Sequence, residues 1–272
     1  MYNSRRKEIR IKADSFRETC KVSRYGILDL FRECDRCGYK LLRYPLGEDA
    51  DLGFVMKKDA DTVIFTNSSS RLTREIFTLA HEIGHAVLHM EGNVPFIDNT
   101  ATISGKSVDE REQEANYFAA CLLMPAGDVA KFFDLEMENF EIHGLTAMDI
   151  ARMMSEFHVS FDMALNRLEN LGRIDHNGRI RIDNERNLSR VGNLLRSVGG
   201  SSRLNEPSLE ICIPYEYIDY VIYNYNHNAI PLETLERSLE YYKLSMDDIR
   251  DRLRKPVEGR DDLDDLIGGL VD

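Results

Sequence analysis

Short apolar runs and one long stretch of apolar residues at helical spacing organise the first third of the chain. Residues 14–44 read as one or two short helices followed by a strand. Gly53–Lys57 (GFVMK) and Thr62–Thr66 (TVIFT) are short β-type runs, and the polar KDAD between them suits a hairpin turn. Residues 71–90 carry apolar side chains at helical spacing, and Gly92, Asn93 and Pro95 stop that helix. Residues 92–106 are polar and read as a long loop. Ser107-Val-Asp-Glu110 reads as a capping box that opens a second helix, which runs to about Met124 before Pro125.

Further on, residues 146–157 and 160–171 form a helix-turn-helix pattern around His158-Val159-Ser160. Residues 171–204 hold seven arginines against three acids and read as a basic linker, with a hairpin around His176-Asn177-Gly178. Residues 208–254 are helical and rich in tyrosine, and the tail from Val257 is acidic. The expected division is a basic N-terminal segment (1–24), a main domain (25–172, with the helix-turn-helix-like part at 144–172), a basic linker (173–207) and a helical C-terminal domain (208–272). The fold class is α+β: a mainly helical core with a small antiparallel sheet.

Composition narrows the classes. The chain has 272 residues, enough for a sizeable core, and no apolar run of membrane-spanning length. The N-terminus carries eight basic and three acidic residues but no stretch of signal-peptide length. Five cysteines, an odd number without a dense framework, fit a reduced cytoplasmic setting. A net charge of −12 opposes broad phosphate binding. The arginines of 173–203 are the candidate for secondary nucleic-acid contact, with a solvated linker as the bland alternative.

The chemistry lies in His81-Glu82-Ile83-Gly84-His85, an HExxH motif. Two histidines four residues apart on a helix point about 40° apart and can grip one metal ion. Glu82, about 100° round from His81, can take a proton from a water at the metal. The helix is apolar nearly all round, so the histidines are expected to be buried and to need a partner. A third ligand is required. The longer HExxHxxGxxH pattern fails, because Leu88 and Glu91 stand at its later positions. On the 107–124 helix Glu112 borders the apolar face beside Ala115 and Ala119, whereas Glu114 falls with Glu110 and Tyr117 on the polar face. Glu112 is the favoured ligand, with Glu114 and Glu91 as alternatives. Asn116, one turn after Glu112, is a candidate to hold a ligand histidine.

Thr78-Leu-Ala-His-Glu-Ile-Gly-His85, followed by Glu112-Gln-Glu-Ala-Asn-Tyr-Phe-Ala-Ala-Cys-Leu-Leu-Met-Pro125, resembles the ImmA/IrrE family of zinc metallopeptidases over residues 25–172. The resemblance implies a gluzincin-like fold, one Zn²⁺ per chain held by His81, His85 and Glu112, and Glu82 as base. It also implies a dedicated protein substrate, often a helix-turn-helix repressor, cleaved to relieve repression in stress, phage-defence or mobile-element operons. The competing reading is a non-proteolytic, zinc-containing antagonist that sequesters a transcriptional regulator. The substrate is expected to pair with an edge strand, 53–57 or 62–66. The lone Cys34-Asp-Arg-Cys37 lacks two further ligands nearby, and His89 either lines the site or caps its helix end.

Overall fold

The computed structural model describes residues 2–50, 52–58, 61–90, 109–137 and 144–254. Two compact units divide between Ile213 and Pro214. In the first, α1 (Asn3–Thr19) and α2 (Leu30–Arg36) precede β1 (Lys40–Tyr44), β2 (Gly53–Lys58) and β3 (Asp61–Asn67). Then come α3 (Leu72–His89), α4 (Glu110–Leu123) and α5 (Ala126–Glu136), followed by α6 (Ala147–Phe157), α7 (Phe161–Asn170), α8 (His176–Leu188) and α9 (Val191–Ser197). In the second unit α10 (Tyr217–Asn226) and α11 (Leu232–Tyr241) form a small helical pair. The fold is α+β.

The sheet has the order β1-β3-β2. The β2–β3 pair is the antiparallel hairpin that the two β-type runs predict, with Val55 opposite Ile64. β1 joins β3 in parallel, so the sheet is mixed rather than antiparallel throughout. The reason is connectivity: β1 and β3 are separated by β2, which takes the other side of β3. Strand β3 is therefore central, and the 62–66 segment is not an edge. Leu41, Val55 and Ile64 are buried and belong to the same core as Ile76, Leu79 and Ile83 of α3.

Helix α3 packs most intimately on α4. A Cβ at Gly84 would stand 3.1 Å from Phe118 Cδ1 and 3.2 Å from the Ala115 backbone. Glycine at 84, facing the small Ala115, lets the two backbones approach closely. Helix α4 begins at Glu110 with Asp109 as its N-cap, its carboxylate accepting from Arg111 N–H. The capping box expected from Ser107 falls outside the described residues.

Two further expectations change. Residues 1–24, expected as a basic segment ahead of the main domain, contain α1, which buries Ile9 and Ala13 in the main core. Residues 173–207 are not a linker with a hairpin. Asp175 caps α8 by accepting from Gly178 N–H, and Ile182, Leu194 and Leu195 are buried in the core. The arginine count concealed a sparse apolar stripe, which packing decides. The helix-turn-helix pattern is present as α6 and α7, joined through a left-handed His158 and capped by Ser160. Both helices spend their apolar faces in the core. Among the described residues no helix is long and apolar enough to cross a membrane.

After α9 the chain returns to the sheet. Arg43 and Cys212 exchange both backbone hydrogen bonds, at 2.8 and 3.0 Å, and Leu72 N–H donates to Glu206 O at 2.8 Å. This strap lines the free side of β1 and the start of α3.

Candidate metal centre

Helix α3 carries His81, Glu82 and His85, all fully buried. Glu112 comes from α4 and is buried as well. The Nε2 atoms of His81 and His85 lie 3.0 Å apart. Glu112 Oε2 is 3.3 Å from His81 Nε2, and its Oε1 is 3.1 Å from His85 Nε2. Tetrahedral ligands held at ~2.0–2.1 Å from a zinc ion stand ~3.3 Å from one another. The three donors therefore surround a point at the right reach for a small divalent cation. Among the described residues this is the one group of three side chains able to hold a metal.

The ring orientation is set from behind. His81 Nδ1 lies 3.0 Å from Asn116 Oδ1. An oxygen can only accept, so Nδ1 carries the proton and Nε2 turns its lone pair inward. Burial holds the His81 pKa below the ordinary histidine value, against the pull of Glu112, so the ring is neutral and able to ligate. Phe77 flanks the same ring at 6.5 Å.

Glu82 faces the sheet. A Cβ built at Gly53 would stand 3.4 Å from Glu82 Oε1, 2.5 Å from Thr78 Cγ2 and 2.7 Å from Phe65 O. The first residue of outer strand β2 thus presses against the helix face that carries Glu82. The hairpin is legible in sequence, but its apposition to Glu82 is not.

The other candidates sort clearly. Glu114 accepts from Nε and Nη2 of Arg5, at 2.8 and 2.6 Å, and so ties α1 to α4. His89 Nε2 lies 3.3 Å from Arg111 O and 3.8 Å from Glu114, outside the donor triad. Burial, more than the neighbouring His85, pushes its pKa down to about 4. Glu91 lies outside the described residues. His158 engages Ile27 O at 3.2 Å. Cys34 is buried, Cys37 is exposed, and among the described residues no metal-binding group includes either. Arg179, Arg181 and Arg186 are engaged by Glu169, Glu185 and Asp162. Those pairs draw cationic surface away from the 173–203 segment.

One buried cluster escaped the sequence reading. Glu75, on α3 below His81, accepts from Arg43 Nε and Nη2 at 2.8 and 2.9 Å. Thr66 and Ser208 hydroxyls add donors at 3.0 Å each. Arg43 also lies over the Phe31 ring at 3.7 Å. The available signal was a glutamate inside an apolar helix, but its partners come from three distant segments.

Comparison with known proteins places this geometry. Residues 34–169, half of the chain, match the peptidase family model described as the IrrE N-terminal-like domain. The chain is 35% identical over 85 residues to uncharacterized immunity region protein 2 of Bacillus phage phi105, covering 31% of this chain and 52% of that protein. It is 35% identical over 107 residues to the radiation response metalloprotease IrrE of Deinococcus radiodurans, covering 39% of this chain and 30% of that protein. The match thus spans about half the length of the phage relative and less than a third of the Deinococcus one. A buried histidine–histidine–glutamate triad on two packed helices, within a matched span that contains all of it, leads to one conclusion: this chain belongs to the peptidase family of the IrrE N-terminal-like domain.

Proposed function

We propose that this chain is a cytoplasmic zinc-dependent endopeptidase that cleaves one dedicated partner, a helix-turn-helix repressor, in a stress, phage-defence or mobile-element operon. The observation that carries the reading is the convergence of His81, His85 and Glu112 at metal-ligand distance, with Glu82 buried on the same helix. The donor set of two neutral imidazoles and one carboxylate, with a fourth position left for water or substrate, suits catalytic zinc. Zinc bound there would polarise the scissile carbonyl and acidify water.

Glu82 has the general-base role. It accepts the proton of the attacking water and returns it to the leaving amine. Asn116 keeps His81 in the ligating tautomer. Strand β2 holds the substrate: it is an outer strand, its start lies against Glu82, and strand addition secures an extended peptide through backbone hydrogen bonds. The names of the two relatives, one from an immunity region and one from a radiation response, support a regulatory setting.

The test pairs wild type with Glu82→Gln as baits from native cells, read by mass spectrometry and by a zinc assay. The expected result is full zinc content in both, and a small regulator that is intact on Glu82→Gln and cut by wild type. Cleavage of that purified regulator should fall by ~10²–10⁴-fold in the variant. The same intact partner on both baits would favour the sequestering antagonist instead.

A further inference from the structure

Between Pro214 and Glu236 the second unit holds four acidic residues and no lysine or arginine. Five tyrosines fall within the same stretch, from Tyr215 to Tyr225. The core of the second unit is aliphatic: Ile218, Val221 and Ile222 of α10 meet Leu235, Leu239 and Ile249. Most of the rings are left outside it. Tyr215 is 69% exposed, Tyr217 38%, Tyr220 40% and Tyr223 59%.

The helical period explains the division. With Ile218, Val221, Ile222 and Tyr225 turned inward, Glu216, Tyr220, Tyr223 and Asn224 fall on the opposite face. Tyr223 stacks on His227 at 3.9 Å, which holds its ring against the helix. Asp219, at the margin, pairs with Arg252. The outer face of α10 thus offers the exposed Tyr220 and Tyr223 rings together with Glu216, in a stretch of sequence without lysine or arginine, while Arg252 reaches its Asp219 margin. Tyrosine is enriched where proteins meet proteins, because it buries a large ring at little entropic cost.

Charge complementarity selects the partner. A guanidinium stacks on a tyrosine face and forks onto a carboxylate. A phosphate backbone would be repelled by the same acids. We infer that the Glu216–Tyr220–Tyr223 face of α10 is a docking surface for an arginine-rich segment of a partner protein. This surface needs neither a metal nor Glu82, so it stands or falls apart from the proposed peptidase activity.

The experiment uses the full chain carrying Glu82→Gln, so that no probe is cut, and a fluorescein-labelled nonapeptide containing four arginines. Binding is read by fluorescence anisotropy, and folding by circular dichroism. The parent protein should bind the arginine peptide more tightly than its lysine counterpart. Tyr220→Ala with Tyr223→Ala should weaken binding about tenfold, as two lost cation–π contacts require. Tyr220→Phe with Tyr223→Phe should retain it within about threefold, since the ring face survives. Equal binding by the folded alanine variant, or no binding by the parent, would overturn the inference. So would a phenylalanine variant as weak as the alanine one. A single-stranded oligonucleotide that binds through the same tyrosines would show the face to be a nucleic-acid site and would equally overturn it.

Discussion

Helix α3 carries two buried acid-bearing clusters, and they solve the same electrostatic problem differently. Near its start, Glu75 is enclosed by Arg43, Thr66 and Ser208, so the chain supplies its own cation and a complete set of donors. Near its end, the groups brought to Glu112 are the inward nitrogens of His81 and His85, with His81 kept neutral by burial. One cluster is closed by a guanidinium. The other gathers lone pairs around a single point, which a divalent cation would satisfy. Burying a carboxylate is costly in both places, so the difference separates a cluster closed on itself from one whose geometry suits a cation.

The comparison breaks most severely at Arg43. Arg43→Met should leave Glu75 buried without its cation and cost about 3–5 kcal/mol in urea unfolding. The loss should be the same with or without zinc, because the strap, β1 and α3 all meet at this side chain. Zinc removal is the mirror experiment. At zinc 100 times its dissociation constant, a chelator should lower apparent stability by about 2.7 kcal/mol, and His81→Ala should abolish that difference. A chelator effect that persists in His81→Ala would separate zinc binding from this triad.

Asn116→Ala sharpens the contrast by loosening one donor without deleting it. Zinc affinity by competition with a chromophoric chelator should fall about 10–100-fold, with little change in metal-free stability. The smallest effect belongs to Arg5→Ala. Its pair with Glu114 is bidentate but partly open to solvent, so the loss should be about 1 kcal/mol or less and should shrink in high salt.

The two glutamates of α4 show how far sequence reasoning reaches. Glu112 and Glu114 are two residues apart, and the helical period already assigns them to different faces. The apolar margin beside Ala115 and Ala119 points to Glu112, and the structure brings Glu112 to the histidines. Nothing in the period supplies Arg5 as the partner of Glu114, because that contact spans 109 positions along the chain. The segment at 173–207 failed for a related reason. Seven arginines looked like solvated linker, yet a few well-spaced residues, Ile182, Leu194 and Leu195, suffice to dock two helices once a core is there to receive them.

The sequence by itself determined the local pattern: the two histidines one turn apart, the glutamate beside them, the helix that buries them and the β2–β3 hairpin. These follow from short-range periodicity, which a single element carries in full. Only the tertiary structure decided how close Glu112 comes to the histidines, that β1 runs parallel to β3, that β2 rather than β3 is an outer strand, and that Arg43 closes over Glu75. Those outcomes depend on how closely separate elements can pack, as the bare Cα of Gly84 against Ala115 shows. Such distances are set by the fit of whole surfaces, and no window of neighbouring residues contains them.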